Sequence, residues 1–274
     1  MQRIADYVGD SYYLSKAATK VPQGTILFCG VSFMGETAKI LNPQKRVVMA
    51  DDSADCPMAH MIDLEKISEV RHAYKDVAVV CYVNSIAEIK AASDIYVTSF
   101  NALRVVKNLP EKNIFFIPDN NFGKYVASLL PEKNFIFHDG FCHVHKSITK
   151  ENVLRAKQAH PDALVLTHPE CTGDVIELSD FVGSTSEIIQ YVCGSSREKF
   201  IICTEMGIFF ELQEKNPGRK FYSAGHRQFC PNMKKVTIDK VVRALENPSG
   251  FIELPEDIRQ AAAKPLRRML EIGG

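Results

Sequence analysis

Apolar residues in this chain fall in short unbroken runs, separated by stretches of helical period. "TILFCG" (25–30), "VAVVCYV" (77–83), "NIFFIPD" (113–119), "DALVLTHPE" (162–170) and "KFIICTE" (199–205) show no polar alternation in their centres. A strand with one wet face alternates with period two, so an unbroken run implies a strand covered on both faces, as in parallel sheets. Between the runs lie segments such as "DLEKISEVRHAY" and "TKENVLRAKQAH", whose apolar positions recur at helical spacing. Strand, helix, strand at this spacing calls for right-handed crossovers and predicts small parallel sheets flanked by helices.

The pattern repeats. "DYVGDS" at 6–11 recurs as "DIYVTS" at 94–99 and "DFVGST" at 180–185, at offsets of 88 and 86 residues. After each copy come a helix, an apolar strand, a second helix and a strand running into a cysteine: "VVMADDSADC", "FIFHDGFC" and "KFYSAGHRQFC". These are Cys56, Cys142 and Cys230, spaced 86 and 88 apart and followed by the similar tails "CPMA", "CHVH" and "CPNM". The predicted fold is therefore α/β, with three pseudo-threefold-related repeats. Each is a small parallel sheet between helices, a three-layer αβα unit. The expected units are 1–57 with 231–274, then 58–144, then 145–230. By the same register the first strand of the first unit falls before Met1, so that unit is expected to be incomplete and to have a further segment upstream.

Charge narrows the partners. The 274 residues carry 33 basic and 33 acidic side chains with no like-charged block, which leaves no electrostatic footprint for nucleic acid. No apolar run approaches the length of a membrane span and the N-terminus lacks a signal-like apolar core, so the expectation is a cytoplasmic chain acting on small molecules. Eight cysteines are many for a reducing compartment, yet no C-x-x-C pair occurs.

The densest chemistry is "HDGFCHVHK" (138–146), with His138, Cys142, His143 and His145. Sulfur beside imidazole suggests zinc, but the repeat singles out Cys142 alone, as the partner of Cys56 and Cys230. Each of the three follows a strand end, where open α/β folds bind ligands. Three thiolates meeting on a pseudo-threefold axis need a compensating cation, either zinc with a fourth ligand or a cubane [4Fe–4S] cluster with one open iron; spacing does not separate them. Registering Asp76 on Asp162 pairs Tyr82 with His168 and Asn84 with Glu170, so two strand ends aim matching polar pairs at that axis. Ser11, Ser99, Ser184 and Thr185 sit at strand-to-helix turns, suited either to capping or to holding a phosphate or carboxylate. Cys29, Cys81, Cys193 and Cys203 read as core or loop thiols, and Cys171 is left out as a ligand. "KPLRRMLE" (264–271) reads as the solvated face of a last helix.

In order along the chain, "YVNS", "VTS", "CHVH", "HPEC", "VGSTS", "TEMG" and "CPNMK" resemble the quinolinate synthase family, the NadA proteins of NAD biosynthesis, over essentially the whole length. The resemblance implies a [4Fe–4S] cluster on Cys56, Cys142 and Cys230. It also implies condensation of iminoaspartate (iminosuccinate) with dihydroxyacetone phosphate to quinolinate. Substrate contacts carried over by motif are Ser11, Tyr82, the backbone of Val83, Asn84, Ser99, His168, Pro169, Glu170 and Thr185; Ser184 joins Thr185 as a holder of the triose phosphate. Glu170 is the expected general base or acid, with a pKa raised beside a buried cluster, while Tyr82 and His168 orient and polarise. His145 fits the family's C-x-V-H and is expected to support the cluster or its loop. An iminoaspartate-producing enzyme, an L-aspartate oxidase or dehydrogenase, is the implied functional partner. One departure stands out: a histidine and a tyrosine on the family's first strand have no counterpart here, which implies turnover that is poor or absent. The competing readings are an iron–sulfur redox or oxygen sensor and a binding protein for an anionic metabolite. The ordered side chains at the strand ends favour the enzyme.

Overall fold

Ten strands form three separate sheets in the computed structural model, which describes residues 1–272. They are β1 (Thr25–Phe28), β2 (Arg46–Met49), β3 (Val77–Tyr82), β4 (Ile95–Val97), β5 (Asn113–Ile117), β6 (Asn134–Phe137), β7 (Leu164–Thr167), β8 (Phe181–Val182), β9 (Lys199–Cys203) and β10 (Lys220–Ser223). The sheets run β1-β2, β4-β3-β5-β6 and β8-β7-β9-β10, and all pairs are parallel. The second and third sheets share one strand order, offset by four strands, as the sequence repeat predicts.

Both faces of these sheets are covered, which is why the apolar runs do not alternate. In the second sheet Ala78, Val80, Tyr82, Ile114 and Phe116 point into one core, while Val79, Cys81, Phe115 and Ile117 point into another. The third sheet divides in the same way, Val165 and Ile201 to one side and Leu166, Phe200 and Ile202 to the other. Each Val, Leu, Ile or Phe among them, fully buried, contributes roughly 1.5–3 kcal/mol.

The recurring aspartate has a structural task. Asp94 accepts the N–H of Val79 at 2.7 Å, and Asp180 accepts that of Val165 at the same distance, so each ties the second strand's entry to the first strand. The first copy differs: residues 6–8 are exposed and form no strand, because no described strand lies beside them to supply a ladder. There Asp10 caps the helix Ser11–Lys20 instead, accepting from Tyr13 N.

"KPLRRMLE" is not simply a wet face. It belongs to the helix Glu256–Ile272, and Ala262, Ala263, Leu266 and Met269 are buried against Val79, Tyr96 and Phe115 of the second sheet. Arg267 and Glu271 alone of this stretch's charges, with Lys264, remain exposed. Among the described residues no helix is long and apolar enough to cross a membrane.

Candidate active site and metal centre

The strand ends of the second and third sheets face each other across a buried carboxylate. Tyr82, the last residue of β3, donates its phenol to Glu170 Oε1 at 2.5 Å. The other oxygen, Oε2, lies 2.8 Å from His145 Nδ1, and His145 Nε2 lies 2.9 Å from Thr204 Oγ1. His168 stacks on His145 with ring centroids 4.5 Å apart and 19° between planes. Glu170 N donates to His168 Nδ1 at 3.3 Å, and Asn121 Nδ2 donates to Glu170 O at 3.3 Å. Tyr82, His145, His168, Glu170 and Thr204 are all buried.

The protonation states follow from these contacts. Burial holds the His168 pKa down to about 3, helped by neighbouring His145 and opposed by Glu170. His168 is therefore neutral, with Nδ1 accepting and the proton on Nε2. Burial alone would raise the Glu170 carboxyl, but the imidazoles of His145 and His168 and the hydrogen bonds from His145 and Tyr82 carry it well below the usual carboxylate range. This runs against the expectation of a raised value: His145 is the largest cause of the lowering, and Glu170 rests ionised. The Tyr82 phenol is pushed well above its ordinary value by burial and by the charge of Glu170, so it stays a donor.

Cysteines surround this network. Cys56 and Cys142 pack on the same apolar cluster as Tyr82, Val83 and Phe122. Cys56, Cys142 and Cys230 are all free and partly buried. Burial pushes the Cys56 thiol up to about 12, with the charges of Glu170 and Cys230 adding to it. Cys142 is raised well above the ordinary thiol range by burial, then by Glu170 and Cys56. Sulfur, imidazole and carboxylate atoms of Cys142, His145 and Glu170 lie within 4.8 Å of one another, a geometry able to hold a metal ion. Of the four cysteine and histidine side chains in "HDGFCHVHK", Cys142 and His145 thus share one place. His138 instead pairs with Met61 O at 2.6 Å.

The remaining predicted site residues are more scattered. Ser11 and Val83 line one small cavity with Phe33 and Met34. The Val83 N–H is committed to Val97 O at 2.9 Å. The Asn84 Oδ1 atom is buried without a partner. Ser99 sits in the turn after β4, and Pro169 is buried between His168 and Glu170. Ser184 is engaged in a capping box with Glu187, while Thr185 opens the helix Thr185–Gly194. Thr204, Asn121 and the fully buried Asp119 were not singled out from the sequence. Asp119 and Glu205 do occupy equivalent repeat positions 86 residues apart, a signal that register alone could have raised.

Fold and site together define an α/β enzyme whose candidate catalytic groups and candidate metal centre assemble at the ends of small parallel sheets. A sequence model of the family "NadA: Quinolinate synthetase A protein" matches residues 1–271. The chain is 48% identical over 272 residues to a quinolinate synthase of Caldicellulosiruptor saccharolyticus, covering 99% of this chain and 90% of that protein. It is 48% identical over 274 residues to a quinolinate synthase of Fusobacterium nucleatum (100% and 91% covered). For the quinolinate synthase of Thermodesulfovibrio yellowstonii the identity is 46% over 272 residues (99% and 90% covered). The chain belongs to the quinolinate synthetase A family.

Proposed function

We propose that this chain condenses iminoaspartate with dihydroxyacetone phosphate to quinolinate, releasing phosphate and water, with a [4Fe–4S] cluster on Cys56, Cys142 and Cys230. The observation that carries the reading is Glu170. It is buried, held ionised, and joined to Tyr82 and His145 beside two cysteines, Cys56 and Cys142, that feel its charge.

The donor set fits a cluster. Three free thiols lie on separate loops, each following a strand end; they interact electrostatically through Cys56, and burial keeps Cys56 and Cys142 protonated unless a cation compensates them. When bound, a cluster held by three cysteines supplies an iron with an open coordination position, a Lewis acid for a substrate heteroatom. The chain's own residues move the protons. Glu170 takes a proton from the substrate as carbon–carbon bond formation and dehydration proceed, and Tyr82 keeps that carboxylate in place while remaining protonated. Neutral His168 offers its Nε2–H to a substrate oxygen. The unpartnered Asn84 Oδ1 accepts from a substrate N–H. Ser11, the Val83 backbone, Ser99, Pro169 and Thr185 complete the contacts, and Thr185 with the capping Ser184 opens a helix whose N-terminus suits the triose phosphate. The division into 1–57 with 231–274, 58–144 and 145–230 is part of the same proposal. So is cytoplasmic supply of iminoaspartate by an aspartate oxidase or dehydrogenase, since a free imine hydrolyses.

A second reading, a single metal ion on Cys142, His145 and Glu170, is favoured by the proximity of those three ligand atoms. Anaerobic reconstitution followed by iron, sulfide and zinc analysis separates the two. Iron and sulfide in equal amounts, with quinolinate formed from the two substrates even in a single turnover, support the cluster enzyme. One zinc without sulfide supports the second reading and sinks the first.

A further inference from the structure

The backbone N–H of each of the three cysteines is bound by a carboxylate. Asp55 Oδ1 accepts from Cys56 N at 2.8 Å, Asp119 Oδ2 from Cys142 N at 3.0 Å, and Glu205 Oε1 from Cys230 N at 3.3 Å. A peptide N–H needs only a neutral carbonyl, and a carboxylate beside thiols that a bound cluster would ionise is electrostatically costly. Its recurrence at all three positions therefore calls for a reason.

Two of the three arise from the same register position. Asp119 and Glu205 each stand two residues past a strand, β5 or β9, and each spends its second oxygen on the start of the following helix. Asp119 Oδ1 accepts from Phe122 N at 2.8 Å, and Glu205 Oε2 accepts from Gly207 N at 2.6 Å. Each carboxylate thus links one strand's helix start to the cysteine loop that follows the adjacent strand, β6 or β10. In the first unit the corresponding residue is Val31, which has no acceptor. There the carboxylate has moved to the cysteine loop: Asp55 binds Cys56 N and also accepts from the hydroxyl of Ser32, next to Val31. The acceptor has changed sides and the bridge is kept.

We propose that Asp55, Asp119 and Glu205 are positioning residues for the metal centre, fixing the three cysteine loops and withholding these N–H groups from the cysteine sulfurs. The inference rests on the cluster reading above. Hydrogen bonds to cluster sulfurs tune both stability and potential, so an N–H released from its carboxylate alters the centre spectroscopically as well as mechanically.

Amide replacements discriminate among the three. Asp119→Asn and Glu205→Gln each lose one of two required acceptors and turn an NH2 toward a backbone N–H. Asp55→Asn keeps an oxygen for Cys56 N and Ser32 and can turn its nitrogen to His60 Nε2, which lies 2.6 Å from the other carboxylate oxygen. Reconstituted full-length wild type, D55N, D119N, E205Q and the surface control D162N are compared for iron release to a chelator and for the electron paramagnetic resonance of the reduced cluster. Amide exchange of the cysteine loops is followed in the same proteins before loading. D119N and E205Q are expected to release iron about 10- to 100-fold faster, with altered resonance and faster loop exchange, while D55N and D162N stay near wild type. Should D119N fail to fold, E205Q carries the test, because Glu205 lies nearer solvent beside Lys234. Wild-type release and resonance in E205Q, and in D119N where folded, overturn the inference alone. Wild type that takes up no iron and sulfide overturns the cluster reading, and the inference with it.

Discussion

Glu170 accepts from two directions, Tyr82 on one oxygen and His145 on the other, and its amide form can satisfy only one of them. Glu170→Gln keeps the shape and removes the proposed base, so turnover is expected to fall about 10²- to 10⁴-fold, with cluster loading retained. Stopped quinolinate assays on matched iron contents measure this. Tyr82→Phe removes one charge-assisted hydrogen bond, worth about 1.5–3 kcal/mol. In a double-mutant cycle with E170Q by denaturant unfolding, the two changes should be clearly non-additive; simple additivity would show that the 2.5 Å contact carries no coupling. That Tyr82 and Glu170 stand at corresponding strand ends was legible from repeat register. The ionised state of Glu170 was not, because it depends on His145, which reaches it from the short helix His143–Lys146.

At the scale of elements, the loop "HDGFC" is shaped by a close approach at Gly140. A Cβ there would lie 2.4 Å from Pro118 O, on the backbone rather than a yielding side chain. Gly140→Ala must therefore displace the loop that carries Cys142. It is expected to destabilise the fold by about 1–3 kcal/mol and to slow cluster uptake, both measurable by unfolding and by the kinetics of reconstitution. Unchanged stability with unchanged uptake would mean that the loop has slack. The sequence marks this glycine only as part of a turn; the neighbour that makes it necessary is 22 residues away. By contrast, the buried strands β3, β5 and β9 were readable, since covering both faces leaves an unbroken apolar run.

Over the whole molecule, Lys90 joins two layers. From the helix Ala87–Ala91 its ammonium donates to Phe33 O at 3.0 Å and Thr37 Oγ1 at 2.7 Å in the helix Ser32–Leu41, fully buried. Burial lowers its pKa from 10.5 to about 8, against the attraction of Glu36. Between those two values the unfolded chain holds the proton and the folded one does not, so this lysine's contribution to stability grows as pH rises through the window. Buried thiols work the other way: Cys56 and Cys203, both pushed up to about 12 by burial, lose stability for the fold above pH 9. The clean quantity is therefore the difference between wild type and Lys90→Met, which should shift by about 3 kcal/mol in favour of wild type from pH 8 to 10.5. A shift under about 1 kcal/mol in guanidinium unfolding would contradict it.

The order of strands and helices, the threefold repeat and the three cysteines were determined by the sequence alone, because periodicity and self-similar spacing are properties of the chain as a string. The C-terminal helix seemed wet at Lys264, Arg267 and Glu271, and only packing revealed that Leu266 and Met269 close the second sheet. Tertiary structure likewise decided the charge on Glu170 and the carboxylate bound to each cysteine N–H. These depend on distances through space between residues remote in sequence, and both electrostatic attraction and desolvation are set by those distances rather than by order along the chain.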